Sequence, residues 1–241
     1  MHSLSSLESP PRPAGAADET AKSLLEAQEK AKALFEEVVS RGMIAAGKLE
    51  SELSNEIHDL ARSRFGVSRH WHKRIARAGE NTMMGYYDQP ADRRIADDDV
   101  VYLDFGPVFE AWEADFGRTY AVGADPLKHR LVRDIAAAFD KGKELYRRTP
   151  ELTAGELYDY VAGLAPESGW EFGAVTAGHL IGHFPHEREV PDTKRFSIRH
   201  GNPQPLRDLD AKGMPRHWIL EIHFVHRERR FGGFYEELLT V

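Results

Sequence analysis

The sequence predicts an α+β domain in which one plan, helix, helix, strand, strand, is read twice along 241 residues. Three observations predict it. Apolar residues recur at the helical period of 3.6 in two pairs of segments, and each pair is followed by two apolar, strand-like runs. Each pair of strands also carries two carboxylates where strands of that type normally exclude them. The halves share no recognisable sequence identity, so the expected pseudo-two-fold repeat is one of pattern.

Residues 1–17 are rich in Ser, Pro and Ala and offer few large apolar side chains to offset the entropy of ordering. They are expected to form a flexible tail ahead of a single domain over residues 18–241. From Asp18 the pattern is helical, with Leu24, Ala27, Ala31, Leu34, Phe35, Val38 and Val39 on one face. The second helix takes Ser51 as its cap, Leu53, Ile57 and Leu60 as its stripe and Gly66 as its stop. The first strand pair lies in "VVYLDFGPVFEAWEADFGRTYAVG". A third helix follows, marked by Leu127, Leu131, Ile135, Ala138 and Phe139, and a fourth, whose "TAGE" at Thr153 to Glu156 is a capping box ahead of Leu157 and Val161. "HWILEIHFV" and "GGFYEELLTV", around the charged tip "HRERR", close the chain as a second strand pair.

Composition narrows the function. Hydrophobic residues make up 41% of the chain, sufficient for one sizeable core. The net charge is −7 and no basic stripe with interleaved aromatics is present, which argues against nucleic acid as a partner. There is no cysteine, which excludes disulfides, thiolate catalysis and zinc-finger sites and leaves His, Asp and Glu to hold any metal. No apolar run reaches the ~18 residues of a membrane span, and the N-terminus lacks the apolar core of a signal peptide. A cytoplasmic protein is the expectation; nothing in the pattern separates a monomer from a homodimer.

The four carboxylates are Asp104 and Asp115, separated by ten residues, and Glu221 and Glu236, separated by fourteen. A symmetric antiparallel hairpin without bulges sets each pair directly opposite, with Cβ atoms about 5 Å apart. Charges that close on a half-buried face require a proton or a cation between them. Four such groups present about −4, which two divalent cations neutralise, and oxygen ligands with a few nitrogens suit manganese, cobalt, iron or zinc. Taken singly, each acid also has an ordinary explanation: Asp104 could start a turn, Asp115 could pair with Arg118, and Glu236 could be a fraying terminal residue.

"GHLIGHFPHE", from Gly178 to Glu187, adds His179, His183 and His186 in a glycine-rich context. Together with "DDDVVYLDFG" and "EADFGRTYAVG", which hold the aspartates eleven positions apart, and the seven-position step from His179 to His186, it makes the chain resemble the pita-bread metallopeptidases: methionine aminopeptidase, aminopeptidase P, prolidase and the non-peptidase relative creatinase. The resemblance covers residues 20–241, and the Asp-Phe-Gly-Arg-Thr string is closer to aminopeptidase P than to methionine aminopeptidase. It implies a pita-bread fold and a dinuclear site. Asp104 would chelate one ion, His179 and Glu221 would hold the other, and Asp115 and Glu236 would bridge both. A hydroxide shared by two divalent ions would attack a C–N bond in an Xaa-Pro peptide, with Glu221 accepting a proton and His186 hydrogen bonding to the developing oxyanion or the substrate amide. His183 either lines this pocket or only packs. His223, two residues after Glu221, shares its strand face and is a further candidate for the pocket.

The sequence departs from the family pattern in four places. Peptidase relatives carry a histidine before the first aspartate strand where "GENTMMGYYDQP" has Tyr86. His70 and His72 in "RHWHKR" could substitute, although the sequence favours a surface role for both around Trp71. Ile222 stands where relatives tend to have proline, and the short "RERR" tip should leave that edge of the site open. Aminopeptidase P, prolidase and creatinase also have an N-terminal domain for which this sequence has no counterpart. A small non-peptide amide or amidine, as for creatinase, is therefore the alternative substrate class. The alternative from another class is a metal-free binding module, although relatives of that kind typically lose ligands and all five stand here.

Overall fold

A computed structural model of the protein describes residues 14–186 and 194–240. The predicted order of elements is present. Helix α1 (Ala14–Ser40) and α2 (Glu50–Phe65) precede β1 (Ile75–Ala78), a 3-10 turn (Gly79–Met83), β2 (Val100–Phe105), a small excursion of β3 (Val108–Phe109) and β4 (Trp112–Glu113), and β5 (Phe116–Ala121). The second half holds α3 (Pro126–Arg148), α4 (Ala154–Glu167), β6 (Glu171–Phe172), β7 (Leu180–Ile181), β8 (His217–His226) and β9 (Phe231–Leu238). α1 starts four residues ahead of the expected Asp18; residues 1–13 lie outside the described residues. Among the described residues no helix is long and apolar enough to cross a membrane.

The main sheet runs β1-β2-β5-β9-β8-β6, with β7 added alongside β8. Read outward from its centre, β5 corresponds to β9, β2 to β8 and β1 to β6, which is the pseudo-two-fold repeat expected from the pattern. Each half rests on its own core. Leu34, Phe35 and Val38 of α1 and Leu53, Ile57 and Leu60 of α2 pack against Val101, Leu103 and Phe105 of β2. Leu131, Ile135 and Phe139 of α3 and Leu157 and Val161 of α4 pack against Leu220, Ile222 and Phe224 of β8. Because side chains alternate along a strand, Asp104 in β2 and Glu221 and His223 in β8 point away from the helices. That opposite face carries the site.

Two local expectations are corrected. Val39 is 51% exposed, because it lies about 100° around the helix from the buried Val38. α2 is not capped by Ser51: Leu49 occupies the cap position, its N–H donates to Glu52 Oε2 at 2.8 Å, and Ser51 bonds Asp92 through its N–H and its hydroxyl. Gly66 stops the helix at φ 68°, and the Thr153–Glu156 capping box forms.

The two halves meet at β5 and β9 through a single paired position, Gly117 opposite Glu236. A side chain at Gly117 would collide with the Phe234 ring and approach Glu236 Cβ to 2.9 Å, so only glycine allows this close approach. Thr119 reinforces the seam: its hydroxyl accepts from Phe234 N–H at 2.6 Å and donates to Phe234 O at 2.8 Å. Arg118 spans the seam as well. It is sandwiched between Phe116 and Tyr235, donates to Glu236 O at 3.0 Å and pairs with Glu237, which leaves it no part in neutralising Asp115. At the far end, Leu238 N–H donates to the buried Gln28 Oε1 at 2.6 Å and ties β9 to α1. Arg227, Arg229 and Arg230 of the charged tip pair with Glu171, Asp125 and Glu80.

Candidate active site

The two acidic hairpins differ in register. Glu221 faces Glu236 directly in the β8–β9 ladder, as spacing predicts. Asp104 faces Gly117, so Asp115 sits two residues before the position opposite Asp104 and just ahead of β5. The expectation of direct opposition fails for this pair because the hairpin keeps one register through β3 and β4 to a turn at Glu110 and Ala111, one position beyond the midpoint between Asp104 and Asp115. An offset of two preserves the face, and both aspartates still reach the site.

His179 joins them from the segment before β7. Its Nε2 lies 3.2 Å from Asp115 Oδ2, 3.3 Å from Glu221 Oε1 and 3.9 Å from Glu236 Oε1. The five residues the sequence singled out as metal ligands are thus gathered at one place. A sixth, His72, is there too. Its side chain is 6% exposed, with Nε2 3.0 Å from Asp115 Oδ1 and 3.5 Å from Asp104 Oδ1. The surface role expected for His72 is therefore corrected, while His70 turns the other way, toward His58 and Phe105. Strict alternation would put His70 and His72 on one face, but only His70 pairs alongside Pro107 and the chain bends at Trp71 and His72, which sends the two histidines to different sides.

Two groups of three donors result: His72, Asp104 and Asp115, and Asp115, His179 and Glu236. Within each group the donor atoms lie within 4.8 Å of one another, and Asp115 belongs to both. Among the described residues, the buried oxygens Asp104 Oδ1 and Glu236 Oε2 have no hydrogen-bond partner. Buried carboxylate oxygens left without donors, beside imidazole nitrogens, form a donor set that fits divalent cations.

Without a cation, protons resolve the crowding. Burial raises the Asp104 carboxyl, and despite the neighbouring His72 it stands at about 7. Burial and the other acids raise Glu236 well above the carboxylate range, and burial also raises Glu221. Asp115 goes the other way: burial works against its charge, but the two imidazoles facing it hold it below the usual range. Burial alone would depress the histidines, yet the carboxylates raise His72 to about 9 and His179 to about 10.

His186 lies beside this cluster, its ring stacked parallel to His179 at 6.4 Å and edge-on to Trp71 at 5.3 Å. Its Nδ1–H donates to Glu113, whose carboxylate also accepts from the backbone N–H of His186 at 3.1 Å and of Gly182 at 3.3 Å. Glu113 is 1% exposed and comes from β4, so the β3–β4 excursion delivers the group that orients His186. Sequence reasoning missed Glu113; its only signal was an acid two residues before Asp115.

The remaining candidates lie as follows. Tyr86 is 42% exposed, with its ring edge toward His72 at 6.0 Å and Lys73 over its face at 4.5 Å. His183 is exposed and packs on Trp112. His223 is buried, and its Nε2–H donates to Thr82 O at 2.9 Å, joining β8 to the 3-10 turn. Glu187, at the end of the glycine-rich histidine motif, lies outside the described residues.

A pseudo-two-fold antiparallel sheet that gathers acids from two hairpins around histidines defines the class, a pita-bread protein with a carboxylate–histidine cluster that could hold metal. The chain belongs to metallopeptidase family M24, whose model matches residues 22–226. It is 26% identical over 145 residues to an Xaa-Pro dipeptidase of Pyrococcus horikoshii, covering 60% of this chain and 40% of that protein. A Pyrococcus furiosus Xaa-Pro dipeptidase is 25% identical over 169 residues, covering 69% of this chain and 48% of its own length. The chain therefore spans less than half the length of these two relatives. Among solved structures, an Xaa-Pro dipeptidase from Bacillus anthracis superposes with a TM-score of 0.72 at 22% identity, over 92% of this chain and 61% of that one. A methionine aminopeptidase from Rickettsia prowazekii superposes with a TM-score of 0.67 at 16% identity, over 93% and 98%. At these identities the superpositions establish the fold.

Proposed function

We propose that the protein is a dinuclear metal-dependent hydrolase that cleaves a C–N bond, with an Xaa-Pro peptide as substrate, in the cytoplasm. The observation that carries this reading is the pair of three-donor groups sharing Asp115, with buried Asp104 and Glu236 oxygens left without hydrogen bonds. Asp104, Asp115, His179, Glu221 and Glu236 would hold two divalent ions of manganese, cobalt, iron or zinc. Such ions lower the pKa of a shared water toward neutrality and polarise a substrate carbonyl.

The chain's own residues divide the rest of the work. Glu221, at 17% side-chain exposure against 3% for Asp115 and Glu236, is the acid a water or substrate reaches most readily among those three, and it accepts the proton released during attack. Glu113 holds the Nδ1–H of His186, which leaves Nε2 to hydrogen bond with the substrate. Tyr86, close to His72, supports a second reading. A phenol with a reference pKa near ~10 is a poor proton shuttle at neutral pH, which suits a small amide or amidine better than an ordinary peptide.

The test is a hydrolysis screen of Xaa-Pro dipeptides, longer Xaa-Pro peptides, and small amides and amidines, with each of the four metals added. Metal-dependent release of an N-terminal residue from Xaa-Pro peptides, abolished by a chelator, is expected. Turnover of amides alone would shift the assignment to the second reading. A protein that binds no metal and hydrolyses nothing would be a binding module.

A further inference from the structure

The five acids and histidines above leave one buried donor at the site without a role, His72. We propose that His72 is itself a metal ligand, completing the ion held by Asp104 and Asp115, so that each half of the site has its own histidine. This inference rests on the metal-dependent reading above and adds a residue to it.

The argument starts from a comparison with His179. The Nδ1–H of His179 donates to the carbonyl of the next residue, Leu180, at 2.7 Å, and that of His72 donates to the carbonyl of its next residue, Lys73, also at 2.7 Å. Such a bond fixes the ring and turns Nε2 into the coordinating atom of a metal-binding imidazole. The two Nε2 atoms then meet opposite oxygens of the same carboxylate, His72 at Asp115 Oδ1 and His179 at Asp115 Oδ2. Each also faces an acid of its own half, Asp104 or Glu221.

The hydrogen bonds of His72 do not satisfy its surroundings. An N–H at Nε2 serves Asp115, and Asp104 Oδ1, at 3.5 Å, remains a buried oxygen with no hydrogen bond from the described residues. A cation in place of that proton takes a donor from all three residues. The fold also makes room for this ring: a Cβ on Gly106 would sit 2.4 Å from His72 Nε2 and from Trp71 Nε1. Trp71 anchors the segment, donating Nε1–H to Ala114 O at 3.0 Å, and its ring lies edge-on to both His72 and His179. An imidazole on each ion favours cobalt, zinc, iron or manganese over magnesium or calcium.

The unaltered protein loaded with cobalt or zinc provides the test, by X-ray absorption spectroscopy that counts imidazoles per pair of ions. Two imidazoles are expected. One imidazole with both ions bound would overturn the role of His72 and leave the metal-dependent reading standing, whereas no bound ion would overturn both. Calorimetric titration of His72→Ala, with the fold of the metal-free variant checked by circular dichroism, should show one ion weakened by ~100-fold or more, beyond an outer-shell effect, and the other changed by no more than about 3-fold. Unchanged affinity for both ions would also overturn the proposal, and a variant that fails to fold leaves the decision to the spectroscopy of the unaltered protein.

Discussion

The two hairpins supply the same chemistry by different geometries. In β8–β9 the ladder is unbroken, and Glu221 and Glu236 face each other as paired residues. In β2–β5 the hairpin runs on through β3 and β4 in the same register to a turn at Glu110 and Ala111, which leaves Asp115 two residues before the position opposite Asp104. Two functional demands meet in that first hairpin. It presents an aspartate that both histidines touch, and its excursion carries Glu113 to His186, some seventy residues further along the chain. The unbroken hairpin presents its acids and little else. Register is thus kept along both hairpins; the place of the turn decides whether the two acids stand opposite or two residues apart, and the strand face is kept in both.

The largest effect should separate the shared acid from an acid of one half. Asp115→Asn should weaken both ions and remove activity by well over ~100-fold, beyond the range of outer-shell substitutions, whereas Asp104→Asn should weaken one ion selectively. Calorimetric metal titration distinguishes them, and equal loss in the two variants would erase the distinction between an acid shared by both donor groups and an acid of one.

Next is the excursion itself. Glu113→Gln keeps the shape of the side chain but removes the charge that holds the Nδ1–H of His186. It should lower kcat by ~10–100-fold while leaving metal stoichiometry unchanged. A fall in metal content instead would make Glu113 a support for the metal site as a whole.

A pH series comes third. His72 at about 9, His179 at about 10 and Asp104 at about 7 carry protons in the metal-free protein that would have to leave for these groups to take up ions. Raising the pH removes these competitors, so apparent metal affinity should rise between about pH 6 and pH 8, with protons released on binding. Calorimetry in buffers of different ionisation enthalpy measures that release, and affinity independent of pH would contradict the charge arrangement.

The smallest effect concerns the seam. Gly117→Ala forces a Cβ against Phe234 and Glu236 and should cost about 1–3 kcal/mol of stability, read as a lower Tm. An unchanged Tm would mean that β5 and β9 can part without loss.

How far the sequence revealed all this follows the same division. The four helices, Gly66, the Thr153–Glu156 cap and the face of every site acid were legible, because period and capping chemistry are local. The register of Asp115 was not, since a ten-residue gap does not say where between Asp104 and Asp115 the chain turns. His72 was hidden for a similar reason. It lies outside any regular element, and only the bend at Trp71 and His72, after the chain has passed beside Gly106 and Pro107, turns it into the site. Glu113 meets its partner through a contact across the two halves, which no local pattern encodes. His223 lies on the face that alternation predicted, but Thr82, brought close by the fold, takes its Nε2–H.

The central claim is that two histidine–acid groups sharing Asp115 form one dinuclear centre. An anomalous difference map from a crystal of the cobalt- or manganese-loaded protein tests it most directly. Two peaks are predicted, one on each side of the Asp115 carboxylate, the first within bonding distance of Asp104 and the second of His179. A map with no peak at Asp115, or with a single ion bound away from it, would contradict the account.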